Sequence, residues 1–245
     1  MQRLKSPIHF SIGIGLSLFV WWFVASRVSA FVVPSPTTTA AALHALVINK
    51  DFWSDTIFPT LIRAFVGGAN AAFIGITLGV LAGRFALLDG ILEPPRLFLS
   101  AIPAPVFVIL ALLWVGVDDI TIVLTVAVML IPLFYVAARD GLRGSDQALL
   151  EMAQVYRFTG LQIWQFIQFP AVLISLIPAS RVAIANALRL TILAEILVSA
   201  GGIGEEISMS RQYLETDKLF AFVILLVTFI GLLELAMGHW LPDRK

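Results

Sequence analysis

Crossing the hydrocarbon core of a bilayer takes about 20 apolar helical residues. This 245-residue chain contains six windows of that kind, at 7–30, 60–83, 97–117, 120–138, 171–199 and 219–241. A chain so patterned must satisfy its backbone polar groups within each segment, and helices are the direct solution. The predicted fold is therefore an all-α integral membrane protein of about six transmembrane helices, read as one domain over 1–245. Composition agrees: 59% of residues are hydrophobic and 13% charged, with a mean hydropathy of +0.95, against about 45–50% and about 25% in soluble domains.

The opening run has Arg3 and Lys5 before it and Val28-Ser29-Ala30 after it, which is the layout of a cleavable signal. A signal core spans only about 7–15 residues, so the expectation is a retained first helix. Basic residues set orientation in short loops. With a cytoplasmic amino terminus, that side receives Arg3, Lys5, Arg84, Arg96, Arg139, Arg143, Arg157, Arg244 and Lys245. The opposite side holds Lys50, Arg211 and Lys218, with Arg27 and Arg63 near span ends. Both termini are expected in the cytoplasm.

Several functions are disfavoured at once. Sixteen basic and sixteen acidic residues cancel, so no basic excess exists to grip nucleic acid. Without cysteine, and with His9, His44 and His239 scattered, the chain offers no thiolate and no clustered metal ligands. An integral-membrane enzyme would need convergent acid, base or nucleophile groups, and none stands out. A stand-alone secondary transporter usually carries an inverted repeat, and none is visible. There is no G-x-x-x-x-G-K-[ST] phosphate cradle and no Gly-Lys pair at all.

Two helices carry unusual stripes. In the second window Gly67, Ala71, Gly75, Gly79 and Gly83 recur every four residues, a smooth face for close packing against a span of the same chain or across a dimer seam. In the fifth, Arg181, Asn186, Arg189 and Glu195 place polar and charged groups inside the apolar run. Such groups face water, protein or each other. They either shape a translocation path, with the arginines favouring an anionic or polar solute, or they pair structurally. Pro103, Pro105 and Pro132 interrupt windows three and four and predict bends there.

The cytoplasmic loop 139–169 is the informative connection. Ser145 and Asp146 are candidate caps for a helix with an apolar side of Leu149, Leu150, Ala153 and Val155, and Gly160 offers a stop. A second short helix bearing Ile163, Trp164, Phe166, Ile167 and Phe169 then leads to Pro170. This elbow either docks a partner or packs on the chain's own spans.

Glu151, Ala153 and Pro170 stand at the spacing of the Glu-Ala-Ala motif, and the loop resembles that of membrane permease subunits in bacterial ATP-binding-cassette importers. Met152, Arg157 and Phe169 depart from the motif, where an alanine, a glycine and a leucine are usual, and Gly160 follows three residues after Arg157. Val33-Pro34-Ser35-Pro36, Ala101-Ile102-Pro103, Leu113-Trp114-Val115-Gly116, Arg181, Ala194-Glu195 and Gly201-Gly202-Ile203-Gly204 resemble the nitrate, sulfonate and taurine branch, in the same order along nearly the whole chain. The resemblance implies the type I importer permease fold, with Glu151, Ala153, Arg157, Gly160 and Pro170 in a coupling helix that enters a cleft on an ATPase subunit. It further implies a homodimeric pore, an extracytoplasmic substrate-binding protein, a bacterial inner-membrane location, and ATP and Mg2+ held by the ATPase, with no cofactor on this chain. The branch carries nitrate, sulfonates, taurine and pyrimidine-type vitamin precursors, which one permease sequence does not separate.

Overall fold

The computed structural model describes residues 7–240. Arg3, Lys5, Arg244, Lys245 and the end of the sixth window at Leu241 lie outside the described residues. Among these residues there are helices and no strands: α1 (Pro7–Ala25), α2 (Pro36–Ile48), α3 (Phe58–Arg84), α4 (Ala86–Ala101), α5 (Ala104–Val115), α6 (Asp119–Arg143), α7 (Gln147–Val155), α8 (Gly160–Ile163), α9 (Phe169–Val198), α10 (Gly202–Gln212) and α11 (Thr216–Trp240).

Two of the helices are extended by π turns placed just before a proline. Phe52–Ile57 runs into α3, with Pro59 in its first turn, and Trp164–Gln168 runs into α9, with Pro170 in its first turn. A proline has no N–H to give and its ring crowds the carbonyl four residues back. The wider π turn relieves both problems without ending the helix. The elbow's second helix therefore does not stop at Pro170, and residues Gly160–Val198 form one span-length rod of 39 residues.

The core is built from α3, α6 and α9. The glycine stripe of α3 faces α6 within the same chain, so close that a methyl group at Gly67 would meet Val126 Cβ at 2.6 Å and one at Gly75 would meet the Ile131 carbonyl oxygen at 2.7 Å. At Gly79 it would strike the Tyr135 carbonyl, and at Gly83 the Leu142 side chain at 2.8 Å. Against this seam Ala71, Val126, Leu130, Phe134, Leu176 and Ile192 are buried together, and Phe222 of α11 joins them. Ser35 caps α2 by accepting the Thr38 N–H at 3.2 Å, so the Val33-Pro34-Ser35-Pro36 run starts a helix as well as following one.

The third window, 97–117, bends sharply at Pro103, where a bend was expected: α4 and α5 meet at Ile102-Pro103 at 103°, and the helical run starts earlier than the window, at Ala86. Ile102 is extended (ψ 125°), as a residue before proline must often be, and Pro103 starts the next helix. Among the described residues four helices are long and apolar enough to cross a bilayer, or five if the bent pair counts as one, and α1 (Pro7–Ala25) adds an apolar helix at the place of the first window.

Candidate functional site

Four places in the chain concentrate polar chemistry, and the structure sorts the predicted residues among them.

The first is the elbow. Asp146 caps α7, accepting the Ala148 N–H at 2.9 Å. The helix then ends earlier than Gly160: Phe158 N–H returns to the Ala153 carbonyl at 2.8 Å and Arg157 N–H to the Gln154 carbonyl at 3.1 Å. This crossed pair is a Schellman end, whose turning residue takes the left-handed conformation that suits glycine. Arg157 fills it, at φ 56°. Gly160 instead opens α8, behind a reciprocal cap between Thr159 and Gln162. Only Ala153 of α7 is buried. Leu149, Met152, Val155 and Tyr156, with Leu161 and Phe166 beyond the turn, are exposed, as is Glu151. Of the apolar residues foreseen for this elbow, Leu149, Val155, Phe166 and Phe169 are exposed, Leu150, Ile163 and Trp164 are half-buried, and Ala153 and Ile167 are buried.

The second is a buried ionic knot at the opposite end of the core. Glu195 is 0% exposed. Its carboxylate accepts from Arg63 Nη1 at 2.7 Å, from the Gly204 N–H at 3.0 Å, and from the Thr60 hydroxyl at 2.9 Å. The same hydroxyl accepts the Ile203 N–H at 3.0 Å. Arg63 Nη2 reaches Asp119 Oδ1 and the Ala200 carbonyl, both at 2.6 Å. The chain wraps this carboxylate by a turn in which Ser199, Gly201 and Gly202 all have positive φ. A side chain at Gly202 would collide with the Glu195 carboxylate, and one at Gly204 with its Cβ. Arg63, which sequence reasoning set aside as lying near a span end, is the partner of Glu195; Arg181 and Arg189 are not.

The third is a cavity of about 380 Å³ at the α4–α5 break, walled by Ser100, Ile102 and Ala104, by Met129 and Leu130 of α6, and by Asn186 and Arg189 of α9. Arg189 is the one charged group in this wall. Its guanidinium lies 3.4 Å from Asn186 Oδ1 and 3.7 Å from Glu234 Oε1 of α11. Of the four α9 residues predicted for a path, Asn186 and Arg189 share this cavity, Glu195 belongs to the knot, and half-buried Arg181 lies outside the wall. Glu234 was missed, although a lone carboxylate inside the run Phe220 to Met237 was a readable signal.

The fourth is an ion cluster at the loop end of α6. Arg139 meets Asp89 at 3.2 Å and Glu93 at 3.0 Å, Arg143 meets Asp89 at 2.9 Å, and Arg96 meets Glu93 at 2.6 Å. These pairs tie α4 to the helix that leads into the elbow. Among the described residues no three His, Asp or Glu side chains are grouped as metal ligands.

A broken helix thus borders a cavity whose wall holds an arginine, and an exposed elbow lies between two spans. Residues 75–244 match the family model of the binding-protein-dependent transport system inner membrane component. The chain belongs to this family. It is a multi-pass membrane protein and a permease component of the ATP-binding-cassette importer type. Similar relatives include a Bacillus subtilis (strain 168) protein named for aliphatic sulfonates transport, SsuC, 28% identical with 87% of this chain and 79% of that one covered. The taurine transport system permease protein TauC of Escherichia coli (strain K12) is 22% identical, with 96% and 88% covered. The nitrate import permease protein NrtB of Synechocystis is 23% identical, with 98% and 92% covered. Among solved structures, the MetNI methionine ABC transporter in an inward-facing conformation matches with a TM-score of 0.67 at 18% identity, covering 79% of this chain and 98% of that one. That likeness extends to the fold and establishes the type I importer permease architecture.

Proposed function

We propose that this permease carries a small polar or anionic solute with an oxoanion group, of the sulfonate, taurine or nitrate kind named for its relatives, along the face of α9 that bears Asn186 and Arg189. The observation that carries this reading is the meeting of three features at one place: the α4–α5 break, the cavity, and Arg189 in its wall. Irregular backbone within a membrane is tolerated where it lines a cavity, and a guanidinium there matches a planar or tetrahedral oxoanion.

In this reading the loop end faces the cytoplasm, both termini lie on that side, and α7–α8 docks an ATPase subunit that holds ATP and Mg2+. A second copy of the chain completes the pore, and an extracytoplasmic binding protein delivers the solute to the end carrying the ionic knot. The outward-facing apolar residues of the elbow support the docking.

Two measurements test it in proteoliposomes containing the whole transporter. Arg189→Ala is expected to cut uptake of labelled taurine or nitrate by about tenfold or more while ATPase activity persists; unchanged uptake removes Arg189 from the path. Glu151→Lys is expected to abolish solute-stimulated ATP hydrolysis with the permease still folded, and normal stimulation would dismiss the docking assignment.

A further inference from the structure

The pair formed by Arg189 and Glu234 differs from the other ion pairs of this chain. Most of those close to 2.6–3.2 Å. Arg189 Nη2 and Glu234 Oε1 are 3.7 Å apart, too far for a hydrogen bond. Their side chains are 57% and 56% exposed, and among the described residues the other polar neighbour of Arg189 is Asn186 Oδ1 at 3.4 Å. Two opposite charges within membrane-spanning helices must face water or protein and not hydrocarbon. Their shared exposure therefore marks this side of α9 and α11 as the polar side. The guanidinium is held loosely, at the wall of a cavity of about 380 Å³.

A carboxylate is itself a small oxoanion. Glu234 already presents to Arg189 the kind of group that guanidinium recognises best, from an adjacent helix and without a closed hydrogen bond. An oxoanion entering the cavity needs the same face of the same guanidinium. We infer that Glu234 is a built-in competitor for Arg189: it neutralises the arginine between passages and yields it to the solute's sulfonate, nitrate or similar group, so that the solute is bound long enough to pass but not retained. This rests on the reading that the cavity lies on the path. Its distinct content is that the carboxylate of α11 sets how firmly the anion is held there.

Because the chain has no cysteine, an introduced thiol is the one cysteine of each permease copy, and labelling of the unsubstituted transporter gives the background from its other subunits. Ser100 lines the cavity and is exposed, so Ser100→Cys is nearly isosteric. In the full transporter, reconstituted in nanodiscs of neutral lipid, the thiol is labelled with an anionic sulfonate methanethiosulfonate and, separately, with a cationic one. The ratio of the two rates is compared with and without Glu234→Gln. The expected result is a rise of about fivefold in the anionic-to-cationic ratio, a typical size for coupled sites, together with stronger protection by added taurine or nitrate. In an Arg189→Ala background the same Glu234→Gln change is expected to leave the ratio where it was.

A ratio unmoved by Glu234→Gln overturns the inference. So does a rise that persists undiminished without Arg189, because the carboxylate would then act only through its general field. If the thiol is reached by neither reagent from water, the cavity is off the path, and the transport reading fails along with the inference. Inclusion of anionic lipid separates a lipid phosphate from a free solute: protection that appears with the lipid but not with taurine or nitrate overturns solute competition.

Discussion

The two ionic clusters at opposite ends of the helical core use the same side chains to different effect. In the knot, Arg63 is 8% exposed and Glu195 0%, and the carboxylate has donors on every side. In the cluster near the elbow, Arg139 is 17% exposed, but its partners Glu93 and Asp140 are 35% and 57% exposed. A sealed charge pair cannot open without leaving a bare charge in a poor dielectric. A pair open to water exchanges partners at small cost. The comparison assigns rigidity to the end of the core that holds Glu195 and adjustability to the end near the elbow.

Breaking the sealed pair is the largest effect expected. Arg63→Met should cost about 3–5 kcal/mol, seen as a steep fall in the melting temperature of the purified chain. Retention of the wild-type temperature would mean that the knot is not what fixes that end of the core. In the open cluster, Arg139→Gln should cost about 1 kcal/mol. That difference should shrink in 1 M salt, where the Debye length falls to about 3 Å, while the Arg63→Met deficit should not. Equal salt sensitivity at both ends would erase the contrast. Smallest of all, Asp119→Asn should alter stability by no more than about 0.5 kcal/mol, because Asp119 is 65% exposed and Arg63 keeps Glu195 and two carbonyls. A large loss there would extend the sealed region outward to the start of α6.

Hydropathy made the long helices legible. The windows 60–83, 120–138 and 171–199 fall inside or within a residue of Phe58–Arg84, Asp119–Arg143 and Phe169–Val198, because about twenty apolar residues have few other folded forms. Prolines were a poorer guide. Pro94, Pro95, Pro132 and Pro178 lie within helices, whereas Pro103 coincides with a break. What separates them is whether the preceding residue is extended, which is a matter of surroundings. α10 was not foreseen: Gly202–Gln212 has little hydropathy of its own, and its start is organised by Glu195 and Thr60 from other helices.

The candidate sites divide the same way. The elbow was readable because its caps are local. The stripe of Gly75, Gly79 and Gly83 announced a close seam, but whether it faced α6 or another copy depended on tertiary packing. Arg63 and Glu195 are 132 residues apart, and no local pattern tells a buried arginine which carboxylate it will find. Glu234 was within reach of sequence reasoning, since an isolated acid in an apolar run always requires a partner.

One feature of α9 bears on how force could cross this molecule. Residues Gly160–Val198 form one unbroken helix about 58 Å long at 1.5 Å per residue, with a π turn at Trp164–Gln168 and Pro178 inside it. One end lies in the elbow, the shaft carries Arg189, and Glu195 ties the other end to Arg63. A rotation imposed at the elbow end therefore reaches the guanidinium and the tie to Arg63, less whatever the π turn and Pro178 absorb on the way.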